Sequence, residues 1–144
     1  MQAPAYTHRI RVYWEDTDAG GIVFYANYLK FFERARTEWL RARGIGQQQL
    51  REQTGGMFVV TDAQLRYHRP ARLDDELLVT ARLHEAGRAS LTIVQQAWLA
   101  DASDVNAPPS SLLCEAQVRI AWVAGDSLRP ARMPAALVHS LSAT

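Results

Sequence analysis

One long stretch of this chain has a helical period, and four alternating stretches follow it. That order most limits what the chain can fold into. From about Tyr25 to Arg43, apolar residues recur at spacings of three and four: Tyr25, Leu29, Phe32, Ala35 or Arg36, and Trp39. They form one apolar stripe on a helix, with Lys30, Arg34, Thr37 and Arg41 on the opposite face. So many rings on one stripe call for a broad apolar surface beneath, such as a sheet face. Gly44 is placed to end this helix, and a short second helix is expected over Gly46–Gln53, closed by Gly55-Gly56.

The remaining periods are two. Residues 6–14 alternate, with Ile10, Val12 and Trp14 on one face. After the helices come Met57, Val59, Thr61, Ala63, Leu65 and Tyr67, then Leu77, Val79, Ala81 and Leu83. A Gly87-Arg88 turn leads into Leu91, Ile93, Gln95, Ala97 and Leu99. A polar loop over Asp101–Ser111, with Pro108-Pro109, precedes Leu112, Cys114, Ala116, Val118, Ile120 and Trp122. The tail is weakly helical near Ala135–Leu141. A strand, a long helix and then four strands predict one α+β domain over residues 1–144, a curved antiparallel sheet packed on a helix.

Composition narrows the function classes. Hydrophobic residues make up 48% of the 144 residues and charged residues 22%, which fits a packed globular core. A net charge of +1 gives no field for nucleic acid or a membrane surface. No apolar run approaches the roughly 20 residues of a membrane span. The segment Met1–Ile10 lacks the apolar stretch of a secretion signal, so a cytoplasmic setting is expected. The single cysteine, Cys114, sits in an apolar run and reads as core. The four histidines, His8, His68, His84 and His139, have no metal-binding spacing, and no Walker, dinucleotide or serine-hydrolase motif is present. No metal and no cofactor are therefore expected.

Chemistry concentrates in Y-W-E-D-T-D-A-G-G-I-V-F-Y-A-N-Y, residues 13–28. Glu15, Asp16 and Asp18 close a strand-like run, a glycine turn follows, and the helix begins. A carboxylate beside a helix start lies near unpaired N–H groups and the positive end of the helix dipole. Locally, Asp18 or Thr17 could equally be a helix cap, and Glu15 and Asp16 could hold the turn or raise the basicity of Asp18.

The segment from Arg11 to Leu40, with P-A-R-L-D-D-E-L-L-V-T from Pro70 to Thr80, resembles the 4-hydroxybenzoyl-CoA thioesterase family of hotdog-fold proteins. Within it, the chain looks closest to the YbgC-type branch associated with the Tol-Pal system. The likeness runs from about Arg9 to Trp122. It implies a long helix wrapped by a curved antiparallel sheet of about five strands, and hydrolysis of an acyl-CoA thioester. By that resemblance Asp18 is the catalytic carboxylate, as base or nucleophile, and the Tyr25 backbone N–H polarises the thioester carbonyl. Gly21 matches the glycine that lets the chain turn past the site, and Trp14 lines the substrate pocket. The YbgC branch usually carries histidine where Tyr25 stands and tyrosine where Trp14 stands. Glu33 is a competing acid, because another hotdog branch uses a helix glutamate. Arg66, Arg69, Arg72, Arg82 and Arg88 are candidates by type for the coenzyme A phosphates, and Arg88, in a hairpin turn, is preferred. The resemblance also implies a homodimer or homotetramer. Two other readings are a non-catalytic module binding acyl thioesters or acyl carrier protein, and a structural partner in an envelope-linked assembly.

Overall fold

The computed structural model describes residues 5–100 and 111–142. The polar loop expected over Asp101–Ser111 lies outside them, except that Ser111 opens a strand. In chain order the elements are β1 (Tyr6–Arg11), α1 (Tyr28–Ala42), α2 (Gln47–Thr54), β2 (Gly56–Tyr67), β3 (Glu76–Ala86), β4 (Ser90–Leu99), β5 (Ser111–Ala124) and α3 (Ala135–Ser142). Two single 3-10 turns, Trp14–Asp16 and Tyr25–Asn27, lie between β1 and α1. The five strands form one antiparallel sheet in the order β1-β3-β4-β5-β2. This is the long helix against a five-stranded sheet that the periodicity requires.

The core is the layer between α1 and the sheet. Tyr28, Phe31, Phe32, Ala35, Trp39 and Leu40 supply the helix side. Leu77, Val79 and Ala81 of β3, Leu91, Ile93 and Ala97 of β4, and Cys114, Val118, Ile120 and Trp122 of β5 supply the other. Each fully buried phenylalanine contributes roughly 1.5–3 kcal/mol of transfer free energy. One polar pair crosses this layer. Arg36 Nη1 donates to Gln95 Oε1 at 2.9 Å, and Gln95 Nε2 donates to the carbonyls of Phe32 at 2.9 Å and Thr80 at 3.1 Å. Gln95 is thereby satisfied at an otherwise apolar register position, and helix and sheet are tied side chain to backbone. Desolvation lowers the pKa of Arg36 without discharging a guanidinium. Burial pushes the Cys114 thiol up to about 12, which keeps it protonated and inert.

Three expectations are corrected. The first strand ends at Arg11, and Trp14 turns out into a 3-10 turn where it is 82% exposed. The buried helix stripe centres on Tyr28, Phe32, Ala35 and Trp39, while Tyr25 and Leu29 face outward. The alternating residues of β2 do not form a buried face at mid-strand, because β2 is an edge strand with a register shift between Val60 and Asp62, and residues 60–64 are exposed.

Two glycines follow from geometry. Gly55 ends α2 with φ +74°, a left-handed conformation that costs a side chain free energy. Gly56 lies under Trp122, and a Cβ there would run into the indole ring. Gly56→Ala is expected to destabilise the protein by about 1–3 kcal/mol in denaturant melts, because the ring must move in a filled core.

Candidate active site

The acidic stretch folds into two successive turns, which separate its three carboxylates. Asp16 ends the first turn and is buried. Its Oδ2 accepts the Tyr13 N–H at 2.8 Å, and its own N–H donates to the Tyr13 carbonyl at 3.0 Å. Glu15 faces solvent. Asp18 opens the second turn, which is closed by Asp18 N–H to Ile22 carbonyl at 2.9 Å and Gly21 N–H to Asp18 carbonyl at 3.0 Å. Gly21 takes φ +77° there, as a tight turn with a left-handed residue demands. Asp18 is exposed. Its Oδ1 accepts the Gly20 N–H at 2.8 Å, and its Oδ2 has no partner among the described residues.

Hydrogen bonds tie these turns to the helix start. The Asp16 carbonyl accepts the Phe24 N–H at 3.0 Å and the Asn27 Nδ2 at 2.8 Å. Asn27 N–H closes the next 3-10 turn onto the Phe24 carbonyl at 2.8 Å. Tyr25 and Ala26 open that turn, and their N–H groups have no intrahelical acceptor. The structure thus brings Asp18, Gly21 and the Tyr25 backbone into one loop-and-helix junction, with Trp14 beside it.

The segment after β2 backs the junction. Val23 N–H donates to the Ala71 carbonyl at 2.9 Å, and Leu73 N–H to the Gly21 carbonyl at 3.1 Å. Arg72 N–H is capped by Asp75 Oδ2 at 2.9 Å, while Asp74 and Asp75 bond the Val12 backbone on both sides. The stretch P-A-R-L-D-D is therefore scaffolding for the acidic turn. Two tyrosines add to it. Tyr28 is buried, and its hydroxyl accepts the Ala71 N–H at 3.2 Å. Tyr67, at the end of β2, donates its hydroxyl to the Tyr25 carbonyl at 2.9 Å. Desolvation raises the pKa of both phenols, so both remain protonated. Neither Tyr67 nor Asn27 stands out by sequence pattern. Tyr67 lies in an alternating strand run and Asn27 in a helix start.

Ile22, Val23, Tyr25, Tyr28, Tyr67, His68, Arg69 and Pro70 line a mainly apolar cleft of about 340 Å³ at this junction. Tyr13, Trp14, Phe24, Tyr25 and Leu29, in the segment that leads into α1 and its first turn, are all exposed. Glu33 lies two turns further along α1, on its outer side, and accepts the Thr37 hydroxyl at 3.1 Å. Arg88 is at the far end of the sheet. It follows β3, whose 11 residues span roughly 35 Å from the end beside Val12. Within one chain, Arg88 and Asp18 do not share a site. Chemically, the junction offers a carboxylate oxygen free to take a proton or attack carbon, and backbone donors free to receive an oxyanion.

Comparison with known proteins bears on the family and the fold. The family model of the thioesterase superfamily matches residues 20–105, starting just past Asp18. An acyl-CoA thioester hydrolase, YbgC, from Escherichia coli is 38% identical over 138 residues, covering 96% of both chains. The acyl-CoA thioesterase YbgC of Haemophilus influenzae is 37% identical over 129 residues, covering 90% of this chain and 88% of that protein. A mutant 4-hydroxybenzoyl-CoA thioesterase crystallised with 4-hydroxybenzoyl-CoA superposes with a TM-score of 0.86 at 20% identity, covering 97% of this chain and all of that one, a likeness of fold.

The two aspartates separate in a stability measurement. Asp16→Ala is expected to cost about 1–2 kcal/mol, since it strands a backbone N–H and removes a buried cap. Asp18→Ala is expected to shift the same denaturant midpoint by less than about 0.5 kcal/mol, as befits an exposed turn residue.

Proposed function

The chain belongs to the thioesterase superfamily, and we propose that it hydrolyses acyl-CoA thioesters to a carboxylic acid and free coenzyme A, with Asp18 as the reacting carboxylate and the Tyr25 N–H as oxyanion donor. The observation that carries this reading is the pairing at the junction. An aspartate with one uncommitted oxygen is tied, through the Asp16 carbonyl, to a helix start whose first N–H groups have no acceptor. The likeness to YbgC hydrolases along nearly the whole chain supports the same chemistry.

The steps follow from the groups present. As general base, Asp18 takes a proton from water while the water oxygen adds to the thioester carbon. The developing oxyanion is held by the Tyr25 N–H, and collapse expels the thiolate, which recovers the proton. As nucleophile, Asp18 Oδ2 itself adds and expels the thiolate, leaving a mixed anhydride that water opens. In either case Tyr25 contributes backbone, and its phenol is not required to carry the proton. The exposed rings of Trp14 and Tyr25 stand where an acyl group would enter.

The active form on this reading is an assembly of two or more copies. Among the described residues the outer edge of β2 has no strand partner, and a long open edge is a template for strand addition. Arg88 acts on the coenzyme A phosphates only where a second copy brings its β3–β4 turn to the first copy's junction. The setting is cytoplasmic, where acyl-CoA is consumed; among the described residues no helix is long and apolar enough to cross a membrane.

Thiol release from a panel of short, long and aromatic acyl-CoAs tests the reaction, with acyl carrier protein thioesters alongside. Asp18→Asn is expected to lower kcat by more than about a hundredfold without a change in Tm. Turnover within a few-fold of native would refute the assignment. Stabilisation by acyl-CoA without thiol release would favour a binding module instead. Sedimentation is expected to show a dimer or larger species, and a monomer at micromolar concentration would refute the assembly.

A further inference from the structure

Three consecutive peptide units make up the helix start, and each is held at one end. A peptide unit is planar, with its carbonyl and N–H pointing opposite ways, so fixing one end aims the other. The unit joining residues 23 and 24 is held by its N–H, which donates from Phe24 to the Asp16 carbonyl at 3.0 Å. The next unit is held by the Phe24 carbonyl, which takes the Asn27 N–H at 2.8 Å, and its other end is the Tyr25 N–H. The third is held by the Tyr25 carbonyl, which takes the Tyr67 hydroxyl at 2.9 Å, and its other end is the Ala26 N–H. Of these holds, only the third comes from a side chain distant in sequence, 42 residues away.

Tyr67 is built to make that contact. Its ring packs edge-on against Tyr28 with centroids 5.6 Å apart, and against Tyr25 at 6.2 Å. Tyr28 is 2% exposed and anchored by its bond from Ala71 N–H, so it is a rigid wall. Tyr67 also ends β2, paired there with Cys114 of β5. Strand and wall together present the hydroxyl to one carbonyl. The bond runs to the main chain, so it is independent of the side chain at position 25.

We infer that the Ala26 N–H is a second donor beside the Tyr25 N–H, and that Tyr67, by holding the Tyr25 carbonyl at the other end of that peptide unit, is the positioning residue that aims it at the thioester oxygen. The inference rests on the reading that gives the Tyr25 N–H the oxyanion. A donor misaimed by a few tens of degrees still binds a ground-state carbonyl weakly, but it loses the stronger bond to a full oxyanion. The loss therefore falls on the chemical step.

Tyr67→Phe keeps the ring and removes only the hydroxyl. Its kcat is expected to fall about tenfold, with KM within about twofold of native and Tm within about 2 °C. A native kcat overturns the inference. So does a loss carried by KM alone, or one accompanied by a Tm fall above about 5 °C, which marks the bond as structural. Asp18→Asn assayed beside it separates the two ideas. If Asp18→Asn is dead and Tyr67→Phe is native, only the positioning role fails. If Asp18→Asn turns over normally, the reading of the site fails.

Discussion

One helix face of large rings must be covered, and a single sheet, with a few residues of the flanking segments and α3, covers it. Phe31 and Phe32 have no exposed surface, and the sheet bends its β1-β3-β4-β5-β2 order around the helix they belong to. That constraint fixes where chemistry can sit. The middle of α1 is committed to packing, and its one buried charge, Arg36, is bound to Gln95. Within α1, backbone donors without an intrahelical acceptor are those of its start. Every polar feature of the proposed site is accordingly found in the segment that leads from β1 into α1, and in the segment after β2 that braces it.

The same constraint explains why three nearby acids have three fates. A chain leaving the edge strand β1 and turning back to start a helix must satisfy its own N–H groups as it goes under the surface. Asp16 does this with its carboxylate and its carbonyl together, and is buried for it. Asp18 lies two residues on, at the start of an exposed turn, where one oxygen suffices for the local backbone. Glu15 has no such duty. Burial, rather than residue type, distinguishes the structural acid from the one left available.

Much of this was legible in the sequence. The alternation of β3, β4 and β5 reads directly onto their buried faces, Gln95 included, because both flanks of those strands are paired and one face is dry. Reading failed where apolar residues serve a surface other than the core. Trp14 continues an apolar alternation but points to solvent, and Tyr25 and Leu29 extend the helix stripe at acceptable spacing yet lie outside it. Periodicity counts apolar residues without asking which surface they cover, so on pattern alone Trp14 joins a strand face and Tyr25 a helix stripe. Asp18 was singled out through a long motif, and its exposed, half-committed carboxylate is what the proposed reaction uses. Asn27 and Tyr67 were not, since each acts by touching a backbone carbonyl remote in sequence, and no spacing rule encodes that.

A site that uses main-chain donors moves its sequence requirements elsewhere. Residue 25 can carry any side chain with a free N–H, so tyrosine in place of the branch's usual histidine does not remove the donor. Nor can substitution delete the Asp16 carbonyl. What substitution can delete are the groups that hold these main-chain atoms: the Asn27 amide on one side, the Tyr67 hydroxyl on the other, and the Asp75 carboxylate that shapes the bracing segment. None of the three is placed in contact with the reacting carbonyl in the proposed mechanism. On the proposed mechanism, the identities that matter most besides Asp18 are therefore those that hold main-chain atoms, and the Tyr25 side chain, which lines the cleft, is free to vary with the acyl group.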